Sequence, residues 1–280
     1  MHFWFVPTKF ILGPSPLIVL SLLPLFPSFL SLQVVVGKFI SLNVRGISSS
    51  LQETHSTKDN ELLWKREWGA PFFCSHGANN SRGVAILIRN NFYFSVEEIV
   101  TDADGRYIML KVLLRGERAI LVNIYCPNRD NKLVDFYHSV LQSIQTNDFD
   151  TDNIIMGGDF NCLLNPIVDK TGGNLMPRQS VINVIERLQW ELDLHDIWCI
   201  KNPTERSFTW SQPEPLVLSR LDYWLISNSI SDNVCDVDII PSIKTDHSAV
   251  KIEFKDVGDS VKINHNNNNN NFIASIAHDT

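Results

Sequence analysis

Positive charge is scarce in this chain. Lysine and arginine number 24 against 31 aspartates and glutamates, a formal charge of −7 with a pI near 5.6. That balance argues against a protein that holds nucleic acid mainly through a basic surface. It leaves room for an enzyme that reaches phosphates through a divalent cation. Paired cysteines are lacking as well. Cys74, Cys126, Cys162, Cys199 and Cys235 are odd in number, widely spaced and free of any CxxC pair. Neither a disulfide framework nor a zinc site is indicated, and a reducing compartment fits best. The N-terminus lacks the basic start and small-residue cleavage site of a signal peptide, with Lys9 the only charged side chain in residues 1–36. No internal repeat is visible.

What is present is an ordinary globular composition, 280 residues of which 44% are hydrophobic, long enough for one large domain. Residues 1–36 stand apart. Leu17 to Val36 carries no charge and has the length of a membrane span, yet Pro24 and Pro27 interrupt it. It reads as an apolar extension outside the fold, with membrane association as the lesser alternative. Residues 257–280, with the run Asn266 to Asn271, read as a polar low-complexity tail. The folded unit is expected over 37–256.

Within it, Val84 to Ile88 is a short buried-strand run, and Tyr107 to Leu114 with Ala119 to Tyr125 predict a hairpin around Arg115 to Arg118. Leu133, Phe136, Tyr137, Val140, Leu141 and Ile144 recur at helical spacing, as do Val181, Val184, Ile185, Leu188 and Leu192. Further strands are expected at 153–156, 208–210, 221–226, 237–240 and 249–254. Many strands with a few helices predict an α+β class, two sheets packed as a β-sandwich and flanked by helices.

Three blocks end apolar runs with groups able to do chemistry: Gly157-Gly158-Asp159-Phe160-Asn161, Ser219 to Ser227 around Asp222, and Thr245-Asp246-His247-Ser248. Strand ends are where catalytic groups gather in open sheets. Carboxylates suit magnesium and histidine suits proton transfer, so the set points to metal-assisted phosphodiester hydrolysis. Each residue also has a structural alternative. Gly157 to Asp159 is a plausible turn, Tyr125 a plausible core tyrosine with a wet hydroxyl, and Arg220 an ion-pair partner or phosphate contact. Asp222, if its face is buried, needs a partner. His55, His76, His138 and His195 receive no role.

These blocks stand in a longer order: Ser41 to Gly46, Leu51-Gln52-Glu53-Thr54-His55, Arg82 to Leu87, Asn123-Ile124-Tyr125-Cys126-Pro127-Asn128, Gly157 to Asn161, Phe208-Thr209-Trp210, Ser219 to Ser227 and Thr245 to Val250. In order and wording they resemble the exonuclease, endonuclease and phosphatase superfamily, most closely the apurinic-endonuclease-like domain of LINE-type retrotransposons. The resemblance implies a DNase I-like four-layer α/β sandwich, DNA as partner with no stable protein partner, and Mg2+ as cofactor with Mn2+ the alternative. It implies metal binding by Glu53 with Asn43, and Asp246 near the metal. Asp159 would position or deprotonate water, while Asn161, Asn128, Tyr125 and Arg220 would contact phosphate. Asp222 would orient His247. A nuclear location follows from a DNA substrate. Two other readings remain: a non-catalytic remnant that binds nucleic acid or protein, and a superfamily phosphoesterase acting on a lipid or inositol phosphate.

One spacing departs from the family. Asn43 and Glu53 are ten positions apart, with no room for the crossover helix that a parallel connection of a dozen or more residues would carry. Both cannot easily reach family-like positions. Reduced stability and weak catalysis are therefore expected, as from a mis-joined or decayed reading frame.

Overall fold

The computed structural model describes residues 39–40, 42–43, 47–77, 82–88, 94–114, 116–126, 132–147, 149–174, 178–241 and 246–255. The apolar segment 1–36, the polar tail 257–280 and Asn128 lie outside the described residues.

The chain begins with β1 (Phe39–Ile40), β2 (Leu42–Asn43), β3 (Ile47–Gln52), α1 (Glu61–Trp68), β4 (Phe72–Ser75) and β5 (Val84–Ile88). There follow β6 (Phe94–Thr101), β7 (Tyr107–Leu114), β8 (Glu117–Tyr125), α2 (Leu133–Thr146), β9 (Ile154–Asp159), β10 (Lys170–Thr171) and α3 (Gln179–Glu191). The last elements are β11 (Leu194–Asp196), α4 (Ile197–Lys201), β12 (Trp210–Gln212), β13 (Val217–Ser219), β14 (Asp222–Ser227), α5 (Asn228–Ser231), β15 (Val234–Ile240) and β16 (Ala249–Phe254).

A six-stranded sheet in the order β11-β14-β9-β8-β7-β6 forms the frame. Because side chains alternate across a strand, its two faces feed separate cores. On one face Met109, Val122, Ile124 and Met156 pack beneath α2 and α3. The helical periodicity read from the sequence is the buried stripe here: all six predicted α2 residues are buried, as are Val181, Val184, Ile185 and Leu188 of α3. On the other face Ile108, Leu121, Ile155 and Trp224 meet Val84, Ile86 and Ile88 of β5 and Val250 and Ile252 of β16. These last belong to the sheets β1-β3-β5-β4 and β15-β16-β2. Beyond the first of those, Trp64 and Trp68 of α1 lie against Leu51, Phe72 and Leu87. The layers are thus helix, sheet, sheet, helix: an α+β sandwich. A smaller sheet, β10-β13-β12, completes the topology.

Gly157 and Gly158 belong to strand β9 rather than to a turn. A Cβ on Gly157 would collide with the Trp224 ring, and one on Gly158, at φ 145°, with the Ile124 carbonyl. Glycine here lets β14 and β8 close on β9 and brings Asp159 level with its neighbours. Gly157→Ala is therefore expected to destabilise the fold by about 1–3 kcal/mol, the range for overpacking a filled core. An unchanged midpoint in denaturant unfolding would contradict this packing.

The short connection after Asn43 is resolved by reversal. Phe39 pairs with Leu51 and Ile40 with Ser50, antiparallel, so β3 runs back against β1. Residues 44–46 separate β2 from β3, and among the described residues no helix stands between the two strands.

Candidate active site

The centre of the site is a row across three strand ends. Tyr125 on β8 is in register with Asp159 on β9, and Asp159 with Asp222 on β14. Residues in register on neighbouring strands share a face, here the one turned toward the second layer. With strands ~4.8 Å apart, the row spans roughly 10 Å. All three are buried: Asp159 is 0% exposed, Asp222 1% and Tyr125 9%.

Each end of the row is extended by a hydrogen bond. The Tyr125 hydroxyl donates to Glu53 Oε1, and His247 Nδ1 lies 2.8 Å from Asp222 Oδ2. Glu53 follows β3 directly, at φ 49°. Its neighbours continue the strain, His55 at φ 52° and Arg82 at φ 65°, while Thr54 N and His55 N bond the carbonyls of Gly83 and Arg82. Backbone in this region costs non-glycine residues on the order of 1–3 kcal/mol and gathers at functional sites. The loop is pinned from behind by Asn123, fully buried, whose Nδ2 donates to the Leu51 and Ala85 carbonyls while its Oδ1 accepts from Gln52.

Asn161 caps Asp159. Its backbone N–H donates to Asp159 Oδ1 at 3.0 Å and its Nδ2 to Oδ2 at 2.6 Å, with a further bond to the Cys126 carbonyl. At the other end Thr209, fully buried, accepts from the N–H groups of both Leu221 and Asp222 through Oγ1. Its carbonyl takes the N–H of Ser248. Thr209 thereby joins the Asp222 strand to the His247 segment, and Trp210 bridges to His247. The motif Phe208-Thr209-Trp210 was the sequence signal for this joint, although no role could be read from it. Arg82 is a second residue that the sequence left without a role. Its positive charge acts on the Tyr125 hydroxyl, which burial chiefly, and then the Glu53 hydrogen bond and the charges of Glu53 and Asp159, hold well above the usual phenol range. Tyr125 therefore stays protonated at neutral pH and remains a donor.

The other predicted residues are placed differently. Asp246 is exposed and accepts from Trp210 Nε1 at 2.8 Å. Arg220 is 3% exposed, with Nε donating to Asp169 Oδ1 at 2.8 Å and Nη1 2.7 Å from Asp196 Oδ2. The second contact is an ion pair rather than a directed hydrogen bond, since Nη1 has no hydrogen-bond partner. Arg220 is thus held in an internal ion-pair network. A phosphate contact is not open to a guanidinium so enclosed. Asn43 is not brought to the site. It pairs with Glu253 on β16, which runs away from His247, and it lies at the far end of β3 from Glu53. Five residue steps along β3 put that separation at roughly 17 Å.

The donor set fits a hard divalent ion. Among the described residues, Glu53, Asp159, Asp222 and Asp246 offer carboxylate oxygens at this end of the sheet, beside the imidazole of His247. Asp159 and Asp222 stand opposite each other on a buried face, an arrangement of like charge that is destabilising without a positive group. The buried Asp222 Oδ1 has no hydrogen-bond partner. Among the described residues, the site carboxylates do not form a group of three within coordination distance of one another. Magnesium, which keeps several waters and takes one or two carboxylates together with substrate phosphate, does not need one.

Comparison with known proteins agrees with this architecture. A transposon TX1 uncharacterized 149 kDa protein of Xenopus laevis is 30% identical over 207 residues, 73% of this chain and 15% of that protein. The DNA-(apurinic or apyrimidinic site) endonuclease 2 of Schizosaccharomyces pombe is 28% identical over 184 residues, 58% of this chain and 34% of that protein. The chain thus spans only a minor part of the length of either relative. Among solved structures, the AP endonuclease of Leishmania major superposes with a TM-score of 0.59 at 20% identity, covering 71% of this chain and 75% of that one. The Xenopus laevis APE2 catalytic domain gives 0.58 at 19%, covering 72% and 82%. At such identities the likeness speaks for the fold alone. The model of the Endonuclease/Exonuclease/phosphatase family matches residues 35–247, and the chain belongs to that family.

Proposed function

We propose that this chain hydrolyses phosphodiester bonds in DNA with a magnesium ion, nicking one strand to leave a 3′ hydroxyl, and that it derives from a retroelement. The observation that carries the reading is the continuous row Glu53, Tyr125, Asp159, Asp222 and His247, five residues from five separate segments joined by register and hydrogen bonds. The family is generally dependent on a divalent metal. Glu53 would hold the ion, while Asp246, exposed and bonded to Trp210 beside His247, lies at the other end of the row. When bound, the ion supplies neutralisation of the non-bridging phosphate oxygens.

The remaining work falls to the chain's own groups. Asp159, its carboxylate fixed by two bonds from Asn161, positions and deprotonates the attacking water. Tyr125, kept protonated, reaches a phosphate oxygen by turning its one hydrogen away from Glu53, while Asn161, whose amide hydrogens are taken by Asp159 and the Cys126 carbonyl, serves by fixing Asp159. Asp222, accepting from Nδ1–H of His247, fixes the ring tautomer and orientation. The Nε2 side of the ring then meets the charge developing on the phosphorus oxygens or passes a proton to the leaving oxygen. The nucleus is the proposed compartment, since that is where such a substrate lies.

A second reading is favoured by one observation, the reversal that carries Asn43 away from Glu53. It is a remnant that binds without cutting. A supercoiled-plasmid assay separates the two. Relaxed circles with Mg2+ and none with EDTA are expected; intact supercoils in both, from a folded preparation, would leave the remnant.

A further inference from the structure

Away from the row, a second set of ligating groups comes together where the sequence showed no paired cysteines. β4 is the edge strand of the four-stranded sheet, and Cys74 and His76 stand two residues apart on it and its continuation, hence on one face. Glu61, the first residue of α1, faces them. Cys74 Sγ is 3.5 Å from His76 Nε2, and His76 Nε2 is 3.1 Å from Glu61 Oε2. The three ligand atoms all lie within 4.8 Å of one another.

We propose that Glu61, Cys74 and His76 form a binding site for a borderline transition-metal ion of the zinc class, distinct from the magnesium site and clamping α1 onto the sheet edge. The geometry is that of three corners of a tetrahedron. Bond lengths of ~2.3 Å to sulfur, ~2.05 Å to nitrogen and ~2.1 Å to oxygen give edges of roughly 3.6 Å for S to N and roughly 3.4 Å for N to O. The observed 3.5 and 3.1 Å are close to both. An N, S and O donor set excludes magnesium and calcium, which take oxygen, and suits zinc, cobalt or nickel. The fourth corner would be water, as in sites with three protein ligands.

The surroundings are ordered as around a metal histidine. His76 Nδ1 is 3.1 Å from Ser56 Oγ, and Ser56, fully buried, accepts in turn from Thr54 Oγ1 at 2.9 Å. A partner on Nδ1 fixes the ring and leaves Nε2 to the ion. Glu61 divides its oxygens, Oε1 to Lys65 Nζ at 2.5 Å and Oε2 toward His76, so one oxygen is directed into the site. Without an ion, burial chiefly, with the charge of Glu61, pushes the Cys74 thiol up to about 12. The thiol is then protonated, and ion binding releases that proton to solvent. The site also answers a structural need. α1 buries none of its residues fully. It is held by the stacking of Trp64 on Phe72 at 5.9 Å and by Trp68 Nε1 donating to the Ile88 carbonyl.

The test is Co2+ titration of the full purified chain after EDTA treatment and its removal. One equivalent is expected to produce a thiolate-to-cobalt absorption in the near ultraviolet, lost on adding Zn2+ and unaffected by excess Mg2+. Cys74→Ser is expected to abolish the band, and His76→Asn to weaken binding at least about tenfold. Ser56→Ala, which removes the support of the ring and the acceptor of Thr54 Oγ1 but no ligand, is expected to weaken it about 10- to 100-fold. Because Cys199 and Cys235 are exposed, a band that persists in Cys74→Ser would overturn the assignment. So would the absence of a band from wild type whose circular dichroism shows it folded. None of these readouts depends on nicking, so the site and the nuclease reading fail separately.

Discussion

Exchange of Asp159 for asparagine is expected to slow magnesium-dependent nicking by about 10²–10⁴-fold, the contribution of a positioned proton-transfer group. Asp159 is fully buried at the end of β9, and in register with Tyr125 on one side and Asp222 on the other. Its two oxygens are aligned by Asn161. Asparagine keeps the volume and the acceptor facing the Asn161 N–H, but turns an amide toward Asn161 Nδ2, so one hydrogen bond to a charged group is lost, about 1.5–3 kcal/mol. The variant should still fold, since the lost bond is set against relief of the like charge facing Asp222. Single-turnover nicking beside a circular-dichroism melt separates the chemistry from the stability. His247→Asn serves as companion, since it acts at the other end of the row. Cleavage by Asp159→Asn at the wild-type rate would remove Asp159 from the water-activating role and with it the proposed mechanism.

Much of this arrangement was legible in the sequence because it sits where patterns change. The α2 and α3 stripes were readable from spacing, since their apolar faces are continuous and well buried. The hairpin of β7 and β8 was readable from two long apolar runs around a charged turn. Helix α1 was not, because its eight residues bury none fully and its tryptophans lie on the sheet edge without making a stripe. Nor was β6, whose register shifts between Val96 and Glu98. The need of Asp222 for a partner was legible from the cost of burying a lone carboxylate, and His247 as that partner from the resemblance. The support behind the row was not: Thr209 to Asp222 and Asn123 to Leu51 are single contacts across 13 and 72 positions, with no periodicity to announce them. Spacing was decisive for Asn43. Ten positions from Glu53 left too little chain, and the strand reversal that follows is the physical consequence.

Removal of Arg220 should produce the largest loss of stability outside the hydrophobic cores. Its guanidinium lies between the carboxylates of Asp169, 1% exposed, and Asp196, and 4.5 Å over the Tyr223 ring. Arg220→Met keeps the bulk and strands both carboxylates, a change that costs about 3–5 kcal/mol when a buried pair is broken. The pH dependence follows from Asp169. Burial already raises its pKa above the usual range, with Arg220 pulling the other way. Without the arginine it rises further, so the folded variant favours the protonated acid. Its stability is then greatest in acid and is lost as pH rises through that raised value. The deficit against wild type, read from denaturant midpoints, should accordingly shrink toward low pH and widen toward neutral. Adding Asp169→Asn to the variant should recover part of the loss, as expected for residues sharing one network. The same variant checks the enclosed position of Arg220. An internal ion pair leaves KM for DNA unchanged at temperatures where the variant is folded, whereas a phosphate contact would raise KM there while the midpoint stayed near that of wild type.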